Sequence, residues 1–132
     1  MANEYAENTT LRSPLGRARG LGSAKGGTHH WWMQRVTSIA LLPLTLWFVL
    51  SVAGLAGAGY GATVAWIGRP WNAVLLLATI GLTFHHMAAG MQVIMEDYAN
   101  QEWVKMGGIL AIKAICVLLA LASALAVLRI AV

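Results

Sequence analysis

Three long apolar segments, separated by short polar or glycine-rich stretches, dominate the sequence. No charged residue occurs between Val36 and Gly68, and a second uncharged run extends from Pro70 to Met95. A third run, from Met106 to Leu128, is interrupted only by Lys113. Since a transmembrane helix needs about 20 predominantly apolar residues, this pattern predicts three membrane-spanning helices. The predicted spans lie at about residues 37–56, 72–97 and 107–128.

Glycine and proline residues divide the chain further. Residues 1–30 are polar and basic, and their glycines are too frequent for a helix. We therefore expect an irregular arm over residues 1–30 and a membrane anchor over residues 31–132. Pro43 lies inside the first predicted span, where neighbouring helices in a bilayer tolerate it. Four glycines predict the end of this span and a flexible loop: Gly54, Gly57, Gly59 and Gly61.

The composition supports a bilayer environment. Hydrophobic residues make up 58% of the chain and charged residues 11%, against roughly 25% charged residues in a typical globular domain. A chain of 132 residues cannot bury that much apolar surface in one aqueous core. The single cysteine, Cys116, lies in an apolar run and is interpreted as a small buried hydrophobic side chain.

The basic residues predict the orientation of this all-α membrane protein. With the N-terminus inside, two basic residues, Arg69 and Arg129, lie on the outer side. The positive-inside rule then places the N-terminus in the cytoplasm and the C-terminus in the periplasm of a bacterial inner-membrane protein. A basic arm beside apolar runs indicates a membrane flank, and no nucleic-acid partner is expected. Seven basic residues lie on the inner side: Arg12, Arg17, Arg19, Lys25, Arg35, Lys105 and Lys113.

Two adjacent histidines, His85 and His86, lie inside the second predicted span. A helix turns about 100° per residue, so His86, Gly90 and Asp97 share one stripe and His85 lies on another. His86 is about 11 residues, or roughly 16 Å, from the inner end of the helix, near the middle of the bilayer. A neutral histidine at that depth suits haem iron ligation. A hydrogen bond to a neighbouring helix explains it equally well, and close helix packing explains Gly90.

Two polar clusters lie at the predicted inner membrane edge. Asp97 and Tyr98 end the second span, where they form either a helix terminus returning to water or a pocket in which Tyr98 donates a hydrogen bond. His29 and Arg35 lie in a tryptophan-containing segment before the first span. This segment is either an interfacial anchor or a source of positive charge for a carboxylate.

These features together resemble the small, D-type membrane anchor of succinate dehydrogenase, respiratory complex II. The match consists of His86, Gly90 four residues later, and Asp97 and Tyr98 at the end of the same span. A second match is His29 followed six residues later by Arg35. The resemblance extends from about residue 28 to the end of the chain.

The resemblance implies a site residue by residue. His86 matches the axial ligand of a haem b that is shared with the larger cytochrome b anchor subunit. Arg35 and His29 match positions near the haem propionates, and Tyr98 and Asp97 match the ubiquinone site. The flavoprotein and iron–sulfur subunits are the other implied partners, besides membrane lipid. The chain is expected to hold them at the membrane and to have no activity alone.

Two alternatives remain at this level. The anchor of a quinol:fumarate reductase has the same architecture, and direction depends on potentials set largely in other subunits. A haem-free structural anchor or assembly protein would use His85 and His86 only for helix packing. A small transporter is disfavoured for two reasons. The three spans show no internal repeat, and they contain few polar interior residues.

Overall fold

The computed structural model describes Leu15 and residues 26–132, and the described residues contain helices and no strand. The three long helices have 28, 29 and 30 residues. At about 1.5 Å per residue each is roughly 42–45 Å long, enough to cross an apolar bilayer core of about 30 Å. The predicted all-α architecture with three spans is thus confirmed. The helices are α1 (Gly27–Gly54), α2 (Tyr60–Ile67), α3 (Pro70–Tyr98) and α4 (Glu102–Ala131).

The first helix starts earlier than the predicted span. α1 begins at Gly27, so residues 27–30 of the predicted irregular arm are helical. After Gly27 the sequence has no glycine or proline before Pro43. The helix therefore extends in the N-terminal direction beyond the apolar stretch. Most of the arm lies outside the described residues, as do Arg12, Arg17, Arg19 and Lys25. The orientation of the termini stays a prediction.

The connection between the first two spans is partly helical, where the sequence predicted a flexible loop. The segment between Gly61 and Gly68 has no glycine, and it forms most of α2. Gly57, in the preceding turn, has a φ of +80°, a left-handed conformation that glycine adopts without steric cost. Asn72 in the first turn of α3 donates a 2.7 Å hydrogen bond to the carbonyl of Trp66, which ties α2 to α3.

The helices are arranged around α3. Both α1 and α4 pack against α3, while α1 and α4 have no close backbone contact with each other. Each helix runs antiparallel to the next long helix along the chain. Thr37, near the start of α1, contacts His86 in the second half of α3, and Gly108, near the start of α4, lies beside Met95 near the end of α3. A three-helix row of this kind leaves an open space between its outer members.

A small apolar cluster closes one end of the bundle. Its buried residues are Ala73, Leu76 and Val127, and Trp47 and Trp66 pack against them. The two indole rings are stacked with centroids 5.7 Å apart. Elsewhere most of the helix surface is exposed, and only 6% of the most hydrophobic window of each long helix is buried. Long helices with this much exposed apolar surface are typical of membrane spans.

Candidate functional site

The end of the bundle away from the apolar cluster is an open groove of about 1200 Å³. Its three walls are the N-terminal third of α1, the C-terminal half of α3 and the middle of α4. This groove places most of the polar side chains of the spans on one surface. Its polar and charged lining residues are His29, His30, Gln34, Arg35, Ser38, His85, His86, Gln92, Glu96 and Lys113.

His86 projects from the middle of α3 towards α1. Its Nδ1 lies 2.9 Å from the hydroxyl oxygen of Thr37, and its Nε2 lies 3.5 Å from the side-chain nitrogen of Gln34. The first distance is that of a good hydrogen bond, and the second is at the limit for one. The imidazole is half-buried and has a polar neighbour at each ring nitrogen. The orientation of His86 is therefore set across the α1–α3 interface.

Thr37 is the most deeply buried polar residue of the described part of the chain, with 1% of its surface exposed. Its hydroxyl oxygen lies 2.8 Å from the carbonyl oxygen of Met33 and 3.1 Å from that of Gln34. A helical threonine commonly donates to the carbonyl one turn earlier in this way. These backbone contacts hold the hydroxyl against His86.

Gly90 lies one turn along α3 from His86, and the sequence predicted a notch there. A Cβ atom at Gly90 would lie 3.4 Å from the side-chain nitrogen of Gln34. The missing side chain is therefore matched by the amide of Gln34, which occupies the space beside the imidazole. Gln34 contacts both residues of the predicted stripe.

His85 differs from its neighbour in environment. His85 is exposed and lines the groove, and no hydrogen bond is formed by its ring among the described residues. The described residues also contain no cluster of three or more histidine, cysteine or acidic side chains suited to a metal ion. A metal held by the described residues would thus need further ligands from elsewhere.

The predicted carboxylate-binding pair lies at the mouth of the groove. His29 and Arg35 both line it and are exposed. The guanidinium carbon of Arg35 lies 5.6 Å from the ring centroid of Trp31, within cation–π range. His30 contributes a buried Nε2 that has no hydrogen-bond partner among the described residues. This end of α1 therefore offers three nitrogen-bearing side chains to an acidic group.

Asp97 and Tyr98 lie at the same end of the molecule but outside the groove lining. Tyr98 is 81% exposed and Asp97 is exposed as well. Just before this pair in α3, Gln92 donates a 2.7 Å hydrogen bond to Glu96, and both of these residues line the groove. The structure thus brings together His86, His29 and Arg35, and it leaves the Asp97–Tyr98 pair on the adjacent surface.

Sequence reasoning missed Thr37 and Gln34. A signal was present, because Gln34, Thr37 and Ser38 are polar residues at helical spacing next to the uncharged run. Polar side chains on one face of a membrane helix normally turn towards another helix. The spacing of these residues does not show which helix their side chains contact. That contact depends on the position of α1 along α3, which only the structure gives. Cys116 is buried and free, as its interpretation as a small hydrophobic residue predicted.

Comparisons with known proteins agree on one family. The sequence profile described as "Succinate dehydrogenase/Fumarate reductase transmembrane subunit" matches residues 9–122. The succinate dehydrogenase hydrophobic membrane anchor subunit of Rickettsia bellii is 32% identical over 117 residues, covering 89% of this chain and 94% of the relative. The protein of the same name from Paracoccus denitrificans is 34% identical over 86 residues, covering 65% of this chain and 67% of the relative. No solved structure gives a significant match.

Proposed function

This chain belongs to the succinate dehydrogenase/fumarate reductase transmembrane subunit family, and from that premise we propose that it binds haem b and ubiquinone together with its partner subunits. The chain is a membrane anchor subunit of succinate dehydrogenase, a multi-pass protein of the bacterial inner membrane. The resemblance inferred from His86 to Tyr98 is confirmed at the level of the family. The cofactor, the quinone site and their residues are our proposal.

The observation that carries the haem proposal is the setting of His86. The His86 imidazole lies in the middle of a membrane helix, with the hydroxyl of a residue of another helix at hydrogen-bond distance from Nδ1. A ligating histidine typically has such a partner on its second ring nitrogen. The groove beside it, about 1200 Å³, is larger than the 300–1,000 Å³ typical of sites for small molecules and cofactors. The ring nitrogen of His86 and the space beside it both fit a haem that this histidine would help to hold.

Each residue around the groove has a separate part in this proposal. His86 would hold the haem iron through a ring nitrogen, and another ligand would come from the larger cytochrome b subunit. Arg35 and His29 lie where they can neutralise carboxylate groups at the mouth of the groove. When bound, haem b supplies a one-electron carrier within the membrane. A ligand shared between two chains would also link haem binding to their assembly.

Tyr98 and Asp97 form the part of a ubiquinone site that this chain contributes. The Tyr98 hydroxyl donates a hydrogen bond to a quinone carbonyl, and Asp97 orients the hydroxyl or passes protons from the aqueous side. Both residues are exposed at the end of α3, so the remaining walls come from partner subunits. The iron–sulfur subunit supplies the electrons, and the flavoprotein subunit oxidises succinate. The same surface serves quinol oxidation in a fumarate reductase.

A haem-free anchor is the second candidate, and one observation favours it. Both ring nitrogens of His86 already have polar neighbours within this chain, Thr37 and Gln34. In that case the histidine stabilises helix packing and the groove accepts a helix of the larger subunit. The quinone role of Tyr98 and the anchoring role are the same under both candidates.

Spectra of the detergent-purified complex separate the two candidates. We expect a b-type signal in reduced-minus-oxidised and pyridine haemochrome spectra of the wild type, and its loss or shift in His86→Ala. His85→Ala is the matched control, and its spectrum should equal that of the wild type. A signal that survives unchanged in His86→Ala would contradict the assignment of the ligand. An intact wild-type complex without haem would leave the haem-free anchor.

A further inference from the structure

We propose that Thr37 is a positioning residue for His86, whose hydroxyl accepts a hydrogen bond from Nδ1–H and so leaves Nε2 as the metal-binding nitrogen. The inference rests on the haem proposal above and adds a residue of a different helix to the site. It depends on the 2.9 Å contact between the Thr37 hydroxyl and Nδ1 of His86. Among the described hydrogen bonds, it is the shortest that joins side chains of two helices.

The hydrogen-bond inventory of Thr37 determines the direction of this contact. A hydroxyl has one proton to donate and two lone pairs to accept with. The carbonyl oxygen of Met33, at 2.8 Å, lies nearest to the hydroxyl, and that of Gln34 lies at 3.1 Å. When the proton points to these carbonyls, the remaining lone pairs face Nδ1, which must then carry hydrogen. In the neutral imidazole, this tautomer leaves Nε2 with a free lone pair.

The neighbour on the other side of the ring agrees with this direction. The side-chain nitrogen of Gln34 lies 3.5 Å from Nε2 and is a donor. An unprotonated Nε2 can accept from it in the absence of a metal, and a metal bound to the same lone pair would displace the amide. Rotation of the amide would instead present its oxygen, which is buried without a hydrogen-bond partner among the described residues. The direction of the His86 contact therefore rests on Thr37 alone.

The burial of Thr37 makes the contact effective. With 1% of its surface exposed, the hydroxyl is shielded from competing water, and its rotamer is held by its own helix backbone. A hydrogen bond from the outer nitrogen of a ligating histidine fixes the ring orientation and makes the ligand more basic. A more basic ligand favours ferric over ferrous iron, and therefore lowers the reduction potential of the haem.

The test compares Thr37→Val, which keeps the shape and removes the hydroxyl, with Thr37→Ser, which keeps the hydroxyl. In the purified complex we expect Thr37→Val to weaken haem retention about 10–100-fold and to raise the haem midpoint potential. A tenfold change in the ratio of ferric to ferrous affinity corresponds to about 59 mV. Thr37→Ser should restore both quantities to near wild-type values, together with the low-temperature electron paramagnetic resonance spectrum of the ferric haem.

A threonine on the same helix provides the matched control. Thr45 is exposed, and its hydroxyl makes the same two backbone contacts, 2.7 Å to Leu41 and 3.1 Å to Leu42, without a histidine partner. Thr45→Val should therefore leave the potential and the spectrum unchanged. If Thr37→Val prevents assembly, Thr37→Cys keeps a weaker hydrogen-bonding group of similar size. We expect a smaller potential rise in that variant, and a wild-type potential would overturn the proposal.

The outcomes separate this inference from the one it rests on. Loss of haem in His86→Ala with a wild-type potential and haem content in Thr37→Val overturns the role of Thr37 alone. An unchanged haem signal in His86→Ala overturns both. A raised potential in Thr37→Val that Thr37→Ser corrects supports both, because a loss of packing alone does not depend on the hydroxyl.

Discussion

The two ends of the helix bundle are built in opposite ways. At one end the apolar cluster around Leu76 closes the space between the helices, and the stacked rings of Trp47 and Trp66 cover it. At the other end α1 and α4 stay apart, and the groove between them is lined by histidines, Arg35, Glu96 and Lys113. The same three helices thus form a closed apolar end and an open polar one.

The difference teaches where this chain is complete and where it needs other molecules. In a bilayer the hydrophobic effect does not drive helices together, so close packing and interhelical hydrogen bonds must do so. The apolar end achieves close packing within the chain. At the open end, His86 of α3 contacts two polar side chains of α1, those of Thr37 and Gln34. The remaining polar lining of that end is suited to a cofactor or to partner helices.

The largest expected difference between substitutions at the two ends is in the rate of ubiquinone reduction. Tyr98→Phe, at the open end, removes the proposed donor to the quinone carbonyl, and the loss of one such donor typically costs about 100–1,000-fold in rate. Tyr60→Phe is the matched control, because Tyr60 is 86% exposed at the opposite end of the bundle. Succinate-dependent ubiquinone reduction should fall in the first variant and stay at the wild-type rate in the second.

A companion assay localises the defect. Succinate oxidation with a soluble artificial electron acceptor should be equal in Tyr98→Phe, Tyr60→Phe and the wild type, because it bypasses the membrane site. A normal ubiquinone rate in Tyr98→Phe would remove Tyr98 from the site. The open end would then keep only its proposed haem-binding role.

The sequence predicted the membrane spans more accurately than the helix boundaries outside them. Uncharged runs report the energetics of the bilayer directly, and for that reason the three spans were predicted correctly. Hydropathy does not report where a helix stops outside the bilayer. α1 therefore begins at Gly27 instead of near residue 37, and α2 forms in a predicted loop. Those boundaries depend on glycine placement and on bonds such as the one from Asn72 to Trp66.

The site was predictable in part for a similar reason. Helical periodicity alone placed His86 and Gly90 on one stripe, and the contacts of Gln34 with both residues agree with that. The roles given to His86, Arg35, His29, Tyr98 and Asp97 stay predictions. Thr37 was missed because its partner depends on how far α1 slides along α3, a quantity that no single helix encodes. The position of Tyr98 outside the groove depends on the end of α3.

The second comparison tests whether the apolar end holds the bundle together. Trp66→Ala removes one ring of the stack with Trp47, and an aromatic pair contributes about 0.5–1.5 kcal/mol beyond the area that it buries. We expect the thermal unfolding midpoint of the complex to fall, with no change in the haem spectrum. Trp71→Ala is the control at the same end, because Trp71 is 78% exposed. An equal effect of both variants would show that the stack is not what stabilises this end.

The smallest expected effect sharpens the description of the open end. Replacing glycine by alanine inside a helix stabilises it by roughly 0.5–1 kcal/mol where space allows. A Cβ atom added at Gly107, in α4 and outside the groove lining, would meet no other atom within 4 Å, whereas at Gly90 it would lie 3.4 Å from the side-chain nitrogen of Gln34. Gly107→Ala should therefore raise the unfolding midpoint slightly, and Gly90→Ala should raise it less.

The Gly90 substitution also acts on the proposed site. The added methyl group displaces the Gln34 amide by a few tenths of an ångström, and this amide is the neighbour of Nε2 in His86. We expect a small shift of the haem absorption band in Gly90→Ala and none in Gly107→Ala. Identical spectra and identical midpoints for the two variants would mean that Gly90 is only one more helical glycine. The notch beside the imidazole would then have no part in binding.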